Sequence, residues 1–251
     1  MRMLLTLLLL ASALYLAGCG AVVLLQRSLI YYPQPAAGQP PQRLQLAVDG
    51  GPVLVSVQPR PGDSAVLYFG GNAEDVSLSL PELAAVFPRR AVYALHYRGY
   101  GGSAGSPSEQ ALQADAKALF DRVHASHREV LVMGRSLGSG IAVRLASERP
   151  VSRLVLVTPF DSLASLAGSI FPWLPVRWLL LDRYDSAQPA PRIGVPTLIL
   201  AAERDEVVPR ASTERLLQQF APGTATMVVI PGTGHNTISA SPAYSAALRA
   251  L

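Results

Sequence analysis

The sequence contains almost no cysteine and almost no lysine. Cys19 is the only cysteine among 251 residues, so no disulfide can form within the chain. Lys117 is the only lysine, and the formal net charge of +4 therefore comes from arginines. These arginines are scattered, without a basic run, which argues against a nucleic-acid-binding protein. The sequence also lacks a cluster of His, Cys and Asp with the spacing of a metal site.

One long apolar segment stands at the N-terminus. No charged residue occurs between Arg2 and Arg27, and a segment of this length can cross a bilayer. Within it, residues 16–19 (Leu-Ala-Gly-Cys) resemble the lipobox at which a bacterial signal peptidase cuts so that Cys19 becomes lipidated. We expect residues 1–30 to be either this lipoprotein signal or an uncleaved membrane anchor. In both cases the rest of the chain is expected on the periplasmic or extracytoplasmic side of the membrane.

The remaining sequence divides into a linker and one domain. Residues 31–42 are too rich in proline for a helix or a central strand and are predicted to be a linker. From residue 43 to 251 a hairpin precedes apolar strands that alternate with helical patterns, which predicts an α/β domain with a mostly parallel sheet covered by helices on both faces. The predicted strands are 44–48, 53–58, 65–69, 91–96, 130–134, 153–157, 197–201 and 226–230, and the predicted helices are 73–86, 108–126, the segment after 136, 210–220 and 242–251.

One segment, residues 160–192, interrupts this alternation. It contains both tryptophans of the chain, Trp173 and Trp178, among other apolar residues. We interpret it as a short lid over a pocket. Two alternatives stay open: a helix that only packs on the domain, and a face that leans on the bilayer next to the N-terminal segment.

A strand, a tight turn and a helix follow one another around Ser136. The sequence Gly134-Arg135-Ser136-Leu137-Gly138 lies between the apolar run 129–133 and the helical pattern 141–146. This is the order of a nucleophile elbow, in which a strained turn presents the serine and small residues two positions before and after it let strand and helix approach. Ser136 is therefore the candidate nucleophile.

The position of a histidine on the predicted sheet indicates whether it can act in catalysis, because ligands of such sheets bind outside the carboxyl ends of the strands. His235 follows the last strand, and it is the only histidine after Ser136, as the order Ser, acid, His requires. We predict that His235 is the general base. His96 is expected to be structural, and His124 and His127 are expected on the surface at the opposite edge.

Two aspartates compete for the acid. Asp205 follows the second-last strand and Asp161 follows the strand before it; we favour Asp205, which would fix the tautomer of the imidazole. Glu203 and Glu206 are expected to be exposed loop charges. An oxyanion hole requires two backbone amides, and we assign these to Leu137 and to Asn72, which lies in the turn after strand 65–69.

With these residues placed, the chain resembles the α/β-hydrolase superfamily and its serine aminopeptidase-like branch, including bacterial membrane-anchored hydrolases and eukaryotic α/β-hydrolase domain depalmitoylases. The resemblance implies Ser136, Asp205 and His235 as the triad, with no cofactor and no metal. Gly70 departs from relatives that carry histidine at this position. The matching segments are 70–73, 97–108, 134–140, 159–162, 205–209 and 234–236.

We therefore expect a membrane-anchored serine hydrolase that cleaves carboxylic ester or thioester bonds of an acyl-bearing small molecule or lipid through an acyl-enzyme intermediate. A peptidase or amidase of the serine aminopeptidase type is one alternative, because the fold does not fix the substrate. A non-catalytic scaffold of the cell envelope is the other.

Overall fold

A computed structural model describes residues 1–251 and contains eight strands and eight α-helices. The strands are β1 (Gln42–Leu46), β2 (Val53–Gln58), β3 (Ser64–Phe69), β4 (Ala91–Leu95), β5 (Glu129–Arg135), β6 (Arg153–Val157), β7 (Thr197–Ala202) and β8 (Ala225–Ile230). The helices are α1 (Arg2–Ile30), α2 (Val76–Val86), α3 (Glu109–His124), α4 (Leu137–Glu148), α5 (Leu163–Ile170), α6 (Val176–Leu179), α7 (Arg210–Leu217) and α8 (Pro242–Arg249).

The strands form one sheet in the order β1-β2-β4-β3-β5-β6-β7-β8. Strand β2 pairs antiparallel with both β1 and β4, and all the other neighbours are parallel. The predicted hairpin and the predicted mostly parallel sheet are both confirmed. Because β3 to β8 run in the same direction, the loops after their last residues meet at one edge of the sheet.

Helices cover both faces of the sheet, as predicted. Strand β3 shows why: Ala65, Leu67 and Phe69 belong to the larger hydrophobic core, whereas Val66 and Tyr68 belong to the smaller one. Side chains alternate between the faces of a strand, so a continuous apolar strand needs a cover on each side. Helices α3, α4 and α7 contribute to the larger core, and α2 and α8 contribute to the smaller one.

Helix α2 begins later than the sequence indicated. It starts at Val76 instead of near residue 73 because Asp75 caps it, its Oδ1 accepting a hydrogen bond of 3.0 Å from the Ser77 amide. Residues 70–74 consequently form a turn at the carboxyl edge of the sheet. This turn faces the start of α4.

The N-terminal helix and the two irregular segments pack on the domain. Helix α1 has 29 residues, its most apolar stretch of 18 residues has a mean hydropathy of 2.3, and it could anchor the chain in a membrane. The proline-rich segment 31–42 has almost no regular structure but is fixed to α2, since the Ala37 amide donates to Asp75 and the Gly38 amide to Ser77. Segment 160–192 contains the short helices α5 and α6. We call this segment the lid.

Candidate active site

Ser136 stands on the turn between β5 and α4 with strained backbone angles, φ 49° and ψ −116°. Such angles are costly for a residue other than glycine and are typical of a nucleophile elbow. A Cβ at Gly134 would collide with the carbonyl group of Gly138, and a Cβ at Gly138 would collide with the carbonyl oxygen of Phe69. The two glycines are thus required because strand and helix approach too closely for any side chain.

His235 reaches Ser136 from the loop after β8. Its Nε2 lies 2.9 Å from Ser136 Oγ, and its Nδ1 lies 2.9 Å and 3.0 Å from the two carboxylate oxygens of Asp205. The imidazole is buried, with 4% of the residue exposed. The structure therefore brings together the three residues that are far apart in the sequence, with the imidazole between hydroxyl and carboxylate.

Asp205 is held in the loop after β7. Its Oδ1 accepts hydrogen bonds from the backbone amides of Val207 (3.0 Å) and Val208 (2.7 Å). Burial alone would raise the pKa of Asp205, but the hydrogen bonds from His235 and from these amides lower it below its ordinary value. The carboxylate is therefore ionised at neutral pH and can orient the imidazole.

The competing acid, Asp161, has different partners. Its carboxylate accepts hydrogen bonds from Ser212 Oγ and from Arg215, whose Nε and Nη2 lie 3.0 Å and 3.1 Å away. It makes no hydrogen bond to His235. Asp161 ties the loop after β6 to helix α7.

The other histidines lie outside the site. His96 is buried, and its Nε2 is 2.8 Å from Ser56 Oγ; burial lowers its pKa. His127 is also buried, between Tyr93 Oη (3.0 Å) and the Gly62 carbonyl oxygen (3.0 Å). The prediction of a surface residue is wrong for His127, because the loop before the neighbouring strand β3 supplies a carbonyl partner that the local sequence does not reveal.

Two backbone amides beside the cavity of Ser136 have no hydrogen-bond partner within the protein. The Asn72 amide makes no hydrogen bond, whereas the Asn72 carbonyl oxygen and side chain are fixed by Tyr100 Oη (2.6 Å) and by the Ile30 carbonyl oxygen (3.0 Å). Neighbouring Gly71 lies against Ser136, since a Cβ at Gly71 would be 3.9 Å from the serine Cβ. Leu137 is the first residue of α4, so its N–H has no partner within the helix. Both amides are thus available to a substrate oxygen.

A cavity of about 570 Å³ opens in front of Ser136. Asn72 and His235 line it with the serine, and its walls are mostly apolar. The side chains of the apolar walls are Leu29, Ile30, Leu78, Phe160, Leu163, Leu166, Val207 and Val208. Leu29 and Ile30 end helix α1, and Phe160, Leu163 and Leu166 belong to the lid, so both apolar appendages contribute to the pocket.

Comparisons with known proteins indicate the family of the chain. The family described as serine aminopeptidase S33 matches residues 84–182, and the family described as TAP-like protein matches residues 181–251. An uncharacterized protein of Mycobacterium tuberculosis is 39% identical in an alignment of 230 residues that covers 84% of this chain and 80% of that protein. A lysophosphatidylserine lipase, ABHD12 of Macaca fascicularis, is 32% identical in an alignment of 181 residues that covers 62% of this chain and 45% of the lipase.

A solved structure shows the same fold. An esterase of Pyrococcus furiosus superposes with a TM-score of 0.70 over 88% of this chain and 96% of its own, at 15% identity. The chain belongs to the α/β-hydrolase superfamily. This membership supports an enzyme that hydrolyses its substrate.

This α/β-hydrolase contains a partly buried ion pair, between Glu74 and Arg135, behind the turn 70–74, and the sequence did not reveal it. Glu74 Oε2 accepts hydrogen bonds from the Gly71 amide (2.8 Å) and from Arg135 Nη1 (3.3 Å), and Arg135 Nη2 donates to the His235 carbonyl oxygen (3.4 Å). Burial lowers the pKa of Arg135, but the Glu74 carboxylate raises it above the ordinary value. The residue before the nucleophile thus connects the Asn72 turn to the loop of His235.

Glu206 is a second residue of this α/β-hydrolase whose contact the sequence did not reveal. It is exposed, as expected, but its Oε2 accepts a hydrogen bond of 3.1 Å from the His235 amide. Glu203 is also exposed and accepts one of 2.8 Å from the Gly232 amide. Only their position beside a loop close in space reveals these contacts. Cys19 lies on α1, buried and free, and takes no part in the site.

Proposed function

We propose that this protein is a serine hydrolase that cleaves carboxylic ester or thioester bonds of acylated substrates through an acyl-enzyme intermediate. The observation that carries the proposal is a pair of hydrogen bonds made by His235. Its Nε2 lies 2.9 Å from Ser136 Oγ, and its Nδ1 lies 2.9 Å from Asp205 Oδ1. Chemistry of this kind needs a nucleophile, a base in contact with it and an acid that orients the base.

The mechanism follows from the positions of these atoms. Ser136 Oγ attacks the carbonyl carbon while His235 Nε2 takes its proton, and Asp205 stabilises the imidazolium. The oxyanion accepts hydrogen bonds from the amides of Leu137 and Asn72, each typically worth about 3 kcal/mol in the transition state. His235 then protonates the departing alcohol or thiol. Water, deprotonated by the same imidazole, attacks the acyl-serine and releases the acid.

The walls of the cavity support an acyl chain as the group that is bound. Leu78, Leu163 and Leu166 line it together with the end of α1. Apolar walls with a few convergent polar groups are typical of sites for small organic ligands, and apolar walls suit an acyl chain. The similarity to a lysophosphatidylserine lipase supports the same class of substrate.

A peptidase is the second candidate, because one matching family is described as a serine aminopeptidase. An aminopeptidase needs a carboxylate for the ammonium group of its substrate. The two carboxylates of the cavity wall already have partners: Glu74 binds Tyr68, Ser79, Arg135 and the Gly71 amide, and Asp75 binds Ser77 and the Ala37 amide. This argues for ester or thioester substrates.

The membrane attachment is part of the proposal. At 1.5 Å per residue, α1 is about 43 Å long, enough for the hydrocarbon core and its borders. The charges of Arg2 and Arg27 mark its two ends. We propose that α1 attaches the domain to the membrane, with the domain on the extracytoplasmic side. Mass spectrometry of the mature N-terminus distinguishes an intact helix from a chain that begins at lipidated Cys19.

A fluorophosphonate probe tests the proposed enzyme. We expect one label per wild-type molecule, no label on Ser136→Ala, and full labelling of Ser147→Ala, a matched control on the same helix outside the cavity. Folded wild-type protein that takes no label would support the scaffold alternative instead. Hydrolysis of a series of aryl esters of increasing chain length, compared with aminoacyl amides, then separates an esterase from a peptidase.

A further inference from the structure

The lid lies along the side of helix α1. Tyr15 Oη donates a hydrogen bond of 3.2 Å to the Trp173 carbonyl oxygen. Farther along the helix, the Gln26 side chain binds the Leu179 carbonyl oxygen (3.2 Å) and the Leu181 amide (2.7 Å). Tyr15 and Gln26 are about 16 Å apart along a helix axis. The tip of the lid is thus close to the middle of α1, and its base is close to the end of α1.

A buried polar cluster fixes this arrangement at the base of the lid. Asp182 is buried and accepts hydrogen bonds of 3.1 Å from both Arg27 and Tyr31. The hydroxyl groups of Tyr31 and Tyr184 are 2.8 Å apart. Charge-assisted hydrogen bonds among buried groups hold one geometry. The axial position of the lid relative to α1 is therefore defined.

The lid exposes large apolar side chains at its tip and near its base. Trp173 is 66% exposed and Trp178 is 80% exposed. No charged residue occurs from Leu163 to Val176. Monomeric soluble proteins rarely leave a contiguous apolar patch of this kind in water. The other exposed apolar residues of the lid are Ile170, Phe171 and Leu181.

We propose that the tip of the lid, residues 170–174, is inserted into the bilayer beside α1, with lipid acyl chains against its exposed side chains. This proposal rests on the proposed membrane attachment of α1, and not on catalysis. The tip contacts α1 at Tyr15, where the neighbouring Leu14 and Leu16 are themselves exposed. Lipid that surrounds the helix at this depth therefore meets the tip as well.

The arginines of the lid lie near its base, as the proposed insertion of the tip requires. The exposed arginines Arg177 and Arg183 are joined near the base, where Arg183 donates to the Arg177 carbonyl oxygen. Arg27, half exposed, lies at the same end of the lid. Arginine and tryptophan are favoured where the hydrocarbon meets the headgroups, and the Arg177 guanidinium lies 5.8 Å from the centroid of the Trp178 ring. The base of the lid thus lies at the headgroups, and an acyl chain can enter the cavity from the leaflet.

The two tryptophans are natural probes, because the chain has no others. The full-length protein is placed in nanodiscs whose lipids carry bromine near the end of the acyl chain or near the headgroup, and tryptophan emission is compared with that in unbrominated lipid. Trp178→Phe leaves Trp173 alone, and we expect loss of its emission with bromine near the chain end. Trp173→Phe leaves Trp178, which we expect to lose emission with bromine near the headgroup. Aqueous iodide is expected to quench Trp173 little.

Two results overturn the insertion of the lid. One is strong quenching of Trp173 by iodide, which would place the tip in water. The other is protection from both iodide and bromine, which would mean that a second copy of the chain covers it. Leu8→Trp in the Trp173→Phe/Trp178→Phe background reports on α1 alone. If that probe is quenched by brominated lipid and Trp173 is not, the lid proposal fails while the anchor stands; if neither is quenched, the anchor itself is refuted.

Discussion

Two neighbouring loops at the same edge of the sheet differ in the partners of their aspartates. The loops after β6 and β7 each contain an aspartate, Asp161 and Asp205, and adjacent parallel strands support both. Arg215 and Ser212 of α7 occupy the first carboxylate, whereas the imidazole of His235 contacts the second. The following residues differ as well, since Ser162 caps helix α5 and Glu206 holds the His235 amide.

The difference shows that the position on the sheet edge does not by itself assign a role. The pKa of both aspartates is below its ordinary value: burial raises each, and hydrogen bonds lower each by more. The direction of the pKa shift therefore does not distinguish the two aspartates. The partner does, because a guanidinium from α7 makes Asp161 a structural link and an imidazole next to a hydroxyl makes Asp205 part of the candidate site.

The largest expected difference between substitutions in the two loops is in activity. Asp205→Asn is expected to lower kcat/KM for an aryl ester by about 10³- to 10⁴-fold, because an amide no longer stabilises the imidazolium or fixes its tautomer. Asp161→Asn, the matched variant of the neighbouring loop, is expected to change it by no more than about twofold. Steady-state kinetics on both variants checks this. Equal losses in the two variants would mean that the assignment of the acid is wrong.

The change at Asp161 is expected to lower stability rather than activity. Asp161→Asn removes the charge that pairs with Arg215, and we expect the free energy of unfolding to fall by about 1 kcal/mol, a modest value because Arg215 is half exposed. Urea unfolding followed by tryptophan fluorescence and circular dichroism measures this change. If this variant is as stable as the wild type and is also inactive, Asp161 is not a structural link but part of the active site.

Glu206 has no counterpart after Asp161, and its removal gives a smaller effect on activity. Glu206→Ala removes the acceptor of the His235 amide, and loss of one hydrogen bond of about 1 kcal/mol predicts about a fivefold lower kcat/KM. Glu206→Gln keeps an acceptor oxygen and is expected to retain most of the activity. If kcat/KM is lowered equally in the two variants, the carboxylate charge of Glu206 matters and not the hydrogen bond.

The smallest expected effect concerns pH. An aspartate whose folded pKa is lowered contributes stability above its ordinary pKa of about 4 and loses it as the pH falls through the folded pKa. The free energy of unfolding of the wild type should therefore decrease as the pH is lowered from about 5 towards 3. In Asp161→Asn the decrease should be shallower, since one of the two carboxylates is gone. Unfolding curves at several pH values test this, and an unchanged slope would contradict the lowered pKa of Asp161.

The fold and the turn at Ser136 could be predicted because their signals are local. The apolar runs of β3, β5 and β7 are interrupted by helical patterns, and the turn at Ser136 has glycines at the two positions where a Cβ cannot fit. The buried position of His127 and the Glu74–Arg135 pair could not be predicted, because their partners come from segments distant in sequence. The start of α2 was misplaced since a cap at Asp75 fixed it.

The alternation of strands and helices, the elbow and the apolar N-terminal helix follow from the sequence alone, because each depends on residues adjacent in the chain. Folding in three dimensions selects which aspartate meets His235, and it places α1 and the lid in the wall of one cavity with Ser136. These contacts arise from lateral packing. Which side chains meet across a sheet edge depends on the order of the strands and on the elements that cover them, and no local pattern contains that order.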